Sequence, residues 1–389
     1  MQIYNKISIF EIMRLSYKYK TYRLNENRKR KIERIFSLSC WVYNHSIALH
    51  KRYYRLFGKH LHANKLKVHL AKLKKQEKYN PWNELSSQTI QAIVEKIDEG
   101  YKKFFRKENK RPPTFRKRKK YNSVLYKNTG WRIKDNEFVI SKQNIKIKYH
   151  SSRPLDGDIA TVTLKRDALG DFFLCFSLKN IAKSKKEKQS TTGKIAGFDF
   201  GLKTFLVSSE GENYFSPEFL KKASRELAKK SKNLSRKDKS SKSRAKARIE
   251  LGLLHRTIGN KREDYHWKLA HEISDRYDIL CFEDLHIKAM QRLWGRKIGD
   301  YGFSNFLVKL NHVCEKKGKK LIKIDRFYPS SKTCGCCGHI KKDLTLKDRF
   351  WTCENCGADL ERDLNAAKYI KKVGASTLEG ELVRPALAG

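Results

Sequence analysis

Five of the nine cysteines fall within 23 residues, as Cys334-Gly-Cys-Cys337 and Cys353-Glu-Asn-Cys356. Two CxxC knuckles separated by 15 residues can present four thiolates to one tetrahedral ion, and this spacing fits a zinc ribbon. With Cys334, Cys337, Cys353 and Cys356 as ligands, no position stays open for water, so one structural zinc is expected and Cys336 is the spare thiol. A facing pair of knuckles is not the single CxxC of a thioredoxin-like redox site. Carboxylates supply the second chemistry. Asp199 lies inside the strand pattern Lys194-Ile-Ala-Gly-Phe-Asp-Phe-Gly, sharing a face with Gly197 and Gly201, whose missing side chains leave room for a phosphate backbone and cations. Glu283 closes the apolar run Ile279-Leu-Cys-Phe-Glu, with Asp284 as its neighbour and rival. Asp363 opens the last helical pattern, with Asp359 as a rival and a simple N-cap as the bland reading. Three acids on separate elements can gather two divalent cations. These generate the attacking hydroxide and stabilise the leaving oxygen in phosphodiester hydrolysis, and Mg²⁺ suits such oxygen-rich sites.

The elements that must position these groups are readable from periodicity. Residues 13–23 alternate as a strand. Asn25 is placed to cap a helix carrying Ile32, Ile35, Phe36, Cys40, Val42 and Tyr43; a second helix is expected near 63–76, and a third from about Ser86 to Phe105. From 123 to 180 the period is two, with strands at Phe138, Ile145, Ala160 and Phe172, which predicts a small β-barrel to which the N-terminal strand returns. Residues 181–192 read as a linker. The C-terminal half reads as strands at 194–200, 203–209 and 213–215, then basic helices, a strand at 279–283, one helix and a strand at 321–327. The cysteine-rich insertion and a short helix follow. That order matches an RNase H-like fold.

The charge balance says what the chain works on. It has 389 residues with 87 Lys+Arg against 41 Asp+Glu, a formal net charge of +46, yet 39% hydrophobic residues and 20 Phe, so it folds and needs an anionic partner. No stretch approaches 18 consecutive apolar residues and the N-terminus does not read as a signal peptide, which disfavours a membrane partner. Residues 102–120 hold 11 Lys/Arg and one acid and read as a clamp on nucleic acid, with Arg111, Phe115, Arg116 and Arg118 as candidate contacts. Residues 221–262 hold 16 Lys/Arg and 3 acids. They read as two helices joined by a Ser/Lys-rich loop near 235–243, with Arg244, Arg248 and Arg262 facing phosphates.

Taken together, these motifs resemble the TnpB family of insertion-sequence RNA-guided DNA endonucleases, relatives of the type V CRISPR effectors. The resemblance rests on Val42-Tyr-Asn-His, Tyr101-Lys-Lys-Phe-Phe, Gly197-Phe-Asp-Phe-Gly-Leu-Lys, Asn260-Lys-Arg-Glu-Asp-Tyr-His-Trp and Glu283-Asp-Leu. It continues through Tyr328-Pro-Ser-Ser-Lys-Thr-Cys, the two knuckles, Arg362-Asp-Leu-Asn-Ala-Ala and Val383-Arg-Pro-Ala, and so runs nearly end to end. Glu361 departs from the family, where Asp is more usual, and keeps the charge. The likeness implies an α+β multidomain protein. It comprises a RuvC-like (RNase H-like) nuclease domain with an inserted zinc ribbon, a wedge β-barrel and a helical recognition block. It selects Glu283 over Asp284 and Asp363 over Asp359, making Asp199, Glu283 and Asp363 the catalytic, Mg²⁺-binding acids. The expected boundaries are 1–24 for the first barrel strand, 25–110 for the helical block and 111–185 for the rest of the barrel. After a linker at 186–192 come the nuclease domain at 193–328 with its basic hairpin at 218–263, the ribbon at 329–357, the second nuclease part at 358–373 and a disordered tail at 374–389.

The implied partners are a guide RNA from the transposon end and duplex DNA carrying a short adjacent motif, with base pairing supplying most of the specificity. Ser87 and Gln91, one turn apart on the third helix, are the candidate readers of that motif, Gln being a natural adenine partner. Lys332 is a further candidate nucleic-acid contact. No membrane and no small-molecule substrate is expected, and the setting is the cytoplasm of a bacterium or archaeon, at the nucleoid. Three other readings compete. A guided repressor that does not cut is disfavoured by the full acid set. An acid-triad transposase is disfavoured by the ribbon between the second and third acids. A general basic RNA-binding protein leaves the strand-interior Asp199 unexplained.

Overall fold

The computed structural model describes residues 15–179, 193–326, 328–345 and 348–378, which fall into two compact units divided after residue 183. The linker expected at 186–192 and the tail beyond 378 lie outside the described residues.

In the first unit, β1 (Leu15–Lys20) is followed by α1 (Glu26–Phe57), α2 (Ala63–Leu73) and α3 (Ser87–Phe105). Asn25 caps α1 as expected, its side chain accepting from the Arg28 amide, and Ser86 caps α3 by accepting from the Thr89 amide. Between α2 and α3 the break at Pro81 is a 3₁₀ turn, Glu77–Glu84, that buries Trp82 completely. The strands then run β2 (Ser123–Tyr126), β3 (Trp131–Lys134), β4 (Glu137–Ile140), β5 (Ile145–Lys148), β6 (Asp158–Arg166) and β7 (Phe172–Lys179). The N-terminal strand does return, pairing antiparallel with β7 from Leu15–Leu178 to Lys20–Phe173. The expected closed barrel is not what forms among the described residues. There are two sheets, β1-β7-β6-β2 and β3-β4-β5, joined by a bridge between Thr21 and Tyr149. The ladder opens between β2 and β3, where Gly130 at φ 88 turns the chain and no rung links the two strands. Both sheets and all three helices share one core, in which Tyr19 packs on Tyr149 and Phe176.

The second unit is built on a five-stranded sheet. Its strands are β8 (Ile195–Asp199), β9 (Leu206–Ser208), β10 (Asn213–Tyr214), β11 (Ile279–Glu283) and β12 (Lys320–Ile324), in the order β10-β9-β8-β11-β12. The first three form an antiparallel meander, while β11 lies parallel to both β8 and β12. Between β10 and β11 run α4 (Phe219–Lys222), α5 (Ser224–Ser235) and the 35-residue α6 (Lys242–Arg276). Where one helix is expected before the last strand there are two, α7 (Ile287–Tyr301) and α8 (Phe303–Lys317), because Gly302 at φ 63 ends the first. The strand expected at 321–327 is shorter, ending at Ile324. A two-stranded ribbon, β13 (Phe350–Thr352) and β14 (Asp359–Glu361), precedes α9 (Arg362–Leu378). That helix extends into the stretch expected to be a tail.

Alternation along β8 and β11 gives the sheet two working faces. Ala196, Phe198, Leu280 and Phe282 pack with Leu269, Ile273, Phe303 and Phe306 of α6 and α8. The opposite face, with Cys281 and Ile324, takes Ile370 and Val373 of α9. No helix among the described residues is long and apolar enough to cross a membrane.

Candidate functional site

Asp199 and Glu283 end adjacent parallel strands. Phe198 is paired with Phe282, so the two acids follow side by side at the C-terminal edge of the sheet, the edge where open α/β sheets hold their ligands. Asp363 arrives from the first turn of α9. What brings that helix so close is Gly197. A Cβ there would collide with the Ala367 carbonyl and the Lys371 amide, and one on Gly374 would collide with the Cys281 sulfur. The glycine beside Asp199 therefore admits the backbone of α9 and leaves no space for a phosphate at that position, which corrects the expectation. Gly201, likewise, abuts the Thr204 carbonyl.

The electrostatics follow from this gathering of like charge. Burial first, then the neighbouring carboxylates of Glu283 and Asp363, push Asp199 up to about 7, against the opposing pull of Arg362. Burial also raises Glu283, partly offset by a hydrogen bond from Ser330 Oγ to its Oε2 at 3.2 Å. Asp363 is held by Arg349 Nη1 at 2.5 Å and Arg362 Nη2 at 3.1 Å, so it is not a plain N-cap. The rivals are occupied elsewhere: Asp284 pairs with Arg326, and Asp359 accepts the Thr352 hydroxyl at 2.6 Å. A buried Asp199 whose ionisation is disfavoured by burial and by the two neighbouring carboxylates fits divalent cations, which would supply the missing positive charge. The three acids stand further apart than the one group of metal-ligating side chains drawn within 4.8 Å among the described residues. A pair of ions, themselves about 4 Å apart, suits that wider spacing.

That tight group is Cys334, Cys337, Cys353 and Cys356. Cys334 Sγ lies 3.7 Å from Cys356 Sγ, and Cys337 Sγ lies 3.6 Å from Cys353 Sγ. Four sulfurs about 2.3 Å from a tetrahedral zinc stand about 3.8 Å from one another, so the cluster fits zinc. Cys336 is exposed and outside it. The two knuckles are built alike. The Gly338 and Gly357 amides donate to the Cys334 and Cys353 carbonyls, both glycines at positive φ. Beneath them Leu344, Trp351 and Leu360 form a small apolar floor.

Ser330, Asn365 and the glycine following each knuckle were within reach of the sequence and carry no role there. Ser330 and Asn365 lie inside motifs that carry the family resemblance. Arg349 has no local signal, because its partner is set by the ribbon's path and not by spacing.

The candidate nucleic-acid contacts separate into two groups. Ser87 and Gln91 are both exposed, as are Arg111 and Arg248. Phe115 is 53% exposed and Lys51 lies over its ring, while Arg116 lies over Tyr43. The strap that carries them is fastened to α1. Asn44 Nδ2 donates to the Arg116 carbonyl at 2.9 Å, the Arg116 amide donates to Asn44 Oδ1 at 2.8 Å, and Arg118 Nε donates to Ser37 Oγ at 2.7 Å. By contrast, Arg244 donates to the Leu234 and Lys237 carbonyls and closes the α5–α6 hairpin. Arg262 donates to the Gly299 carbonyl and Lys332 to the Lys342 carbonyl. Arg244 and Lys332 hold the chain's own loops and Arg262 ties α6 to α7, which periodicity could not reveal.

Comparison with known proteins gives similarities that point the same way. Residues 177–293 match the OrfB family of IS605, described as a probable transposase, and residues 303–370 match the Cas12f1-like TNB domain. A Streptomyces pristinaespiralis protein named "Putative RNA-guided DNA endonuclease" is 29% identical over 377 residues, covering 95% of this chain and 92% of that one. A TnpB-like protein of Acanthamoeba polyphaga mimivirus is 32% identical over 250 residues, 58% of this chain and 46% of that one. A cryo-EM structure of a Cas12f1–sgRNA–target DNA complex is 16% identical, covering 92% of this chain and 99% of that one, with a TM-score of 0.37, too low to define a shared fold. The chain is thus similar to proteins of the TnpB and IS605 OrfB type along most of its length.

Proposed function

We propose that this chain is an RNA-guided DNA endonuclease. It holds a guide RNA derived from its transposon end, recognises a short motif beside the target and hydrolyses DNA phosphodiesters with Asp199, Glu283 and Asp363. The observation that carries the reading is the meeting of those acids at one sheet edge, with Asp199 pushed up to about 7 by burial and then by its neighbours. The five-stranded sheet and α9 are read as a RuvC-like, RNase H-like domain, the sheets of the first unit as the wedge and its helices as the recognition block.

Bound Mg²⁺ would supply a hydroxide at neutral pH and neutralise charge on the leaving oxygen. The chain's own residues do the rest. Asp199 and Glu283 offer oxygens from rigid strand ends, and Ser330 Oγ orients Glu283 through its Oε2. Arg349 and Arg362 hold the Asp363 carboxylate aimed across the sheet edge. Arg349, one-third exposed at its side chain, also offers a charge to an incoming phosphate. Exposed Ser87 and Gln91 face outward from α3 as readers of the adjacent motif, and the strap bearing Phe115 and Arg116 tracks backbone and bases.

Asp199→Ala tests this. It should abolish cleavage, by at least roughly 10³-fold, while guide-RNA and target binding persist. Cleavage that survives the substitution, or binding lost along with cutting, would contradict the assignment.

A further inference from the structure

Asn365 lies two residues beyond Asp363 in the first turn of α9 and is 2% exposed. Its Nδ2 donates to the Thr333 carbonyl at 2.7 Å and its Oδ1 accepts from the Gly335 amide at 2.7 Å. Those two backbone groups flank Cys334, so one buried amide grips the knuckle on both sides of a sulfur that fits the zinc cluster. Leaving either buried partner unmet costs more than an ordinary hydrogen bond contributes, which makes the grip geometrically strict. Gly335 is fitted to it: a Cβ there would stand 3.0 Å from Asn365 Oδ1.

The same short segment reaches the second acid. The Thr333 amide and hydroxyl both donate to the Pro329 carbonyl, at 3.0 and 2.8 Å, and make a tight turn of residues 329–333. From that turn Ser330 holds Glu283. A third tie comes from the ribbon strand, where the Arg349 carbonyl accepts the Arg362 amide at 2.8 Å. The knuckle is thus linked to Glu283 through Ser330 and to the helix of Asp363 through Asn365.

We propose that Asn365 is a positioning residue that couples the two metal sites, so that zinc at the four cysteines and a divalent cation at the three acids stabilise one another through its clamp on Thr333 and Gly335. This rests on the nuclease reading of the acids. It goes beyond that reading, because the zinc ribbon becomes part of what sets cation affinity at the acids. Coupling of binding free energies is reciprocal, so Mg²⁺ at the acids must also raise the affinity of the cysteines for zinc.

The test uses the full chain with its copurified RNA and measures its zinc affinity at equilibrium against a competing chromogenic chelator, with and without saturating Mg²⁺. In the parent protein Mg²⁺ should raise that affinity by roughly threefold or more. In Asn365→Ala, holding one zinc per chain, Mg²⁺ should leave the zinc affinity unchanged, and the Mg²⁺ concentration for half-maximal cleavage should rise by about fivefold or more. Should that variant fail to hold its zinc, Gly335→Ala opens the clamp from the other side with every charge in place, and should behave the same way. Asp199→Ala controls for Mg²⁺ on the RNA and should show no Mg²⁺ effect on zinc. Full retention of the Mg²⁺ effect in Asn365→Ala or Gly335→Ala, or an equal effect in Asp199→Ala, overturns the coupling. The nuclease reading fails separately, if Asp199→Ala still cuts.

Discussion

Asp199 is stabilised in its protonated form, and that has a consequence for stability. In the folded chain its carboxyl lies near 7, in the unfolded chain near the ordinary 3.8, so between those values the folded chain holds a proton that the unfolded chain releases. The sign is then fixed: without a cation, stability falls as pH rises from about 4 to 7 and stays low above. Asp199→Asn removes the penalty. Without added divalent cation, this variant should melt roughly 5 °C above the parent at pH 8, and the gap should close near pH 4. Equal melting temperatures at pH 8 would mean that the acids do not crowd one another. A cation needs the same carboxylate ionised, so protons compete with it, and the Mg²⁺ concentration needed for cleavage should rise as pH drops below about 7.

At the scale of elements, the contact between β8 and α9 decides whether the third acid arrives at all. Gly197→Ala would drive a methyl group into the Ala367 carbonyl and the Lys371 amide, backbone atoms that cannot step aside. Overpacking of this kind should cost about 3 kcal/mol in denaturant unfolding and reduce cleavage with it; a cost under about 1 kcal/mol would show that the helix has slack. This glycine also marks where reading the sequence stops. The cap at Asn25 and the strand alternation are local signals, and both were legible. The purpose of Gly197 depends on a helix 170 residues further along, so a glycine beside an acid reads as room for substrate until the helix is seen filling it. The strand Trp131–Lys134 escaped for a different reason, having no buried position to establish a period. Arg244, Arg262 and Lys332 look like every other cation in a basic stretch, and only the backbone carbonyls they hold distinguish them.

For the molecule as a whole, +46 formal charges must be matched by something. Helix α5 buries none of its side chains, and the 111–120 strap is exposed apart from its two prolines, so both leave their cations available to phosphates. Counterion release makes such binding to phosphates steeply salt-dependent. The claim that this chain is a guided nuclease is tested most directly by sequencing the RNA that copurifies with it and asking that RNA to direct the cut. The account predicts one defined RNA, and Mg²⁺-dependent cleavage of duplex DNA that matches its guide segment beside a short motif, with none when the match is scrambled. Cleavage indifferent to the RNA, or copurification of only bulk cellular RNA fragments that direct nothing, would contradict it.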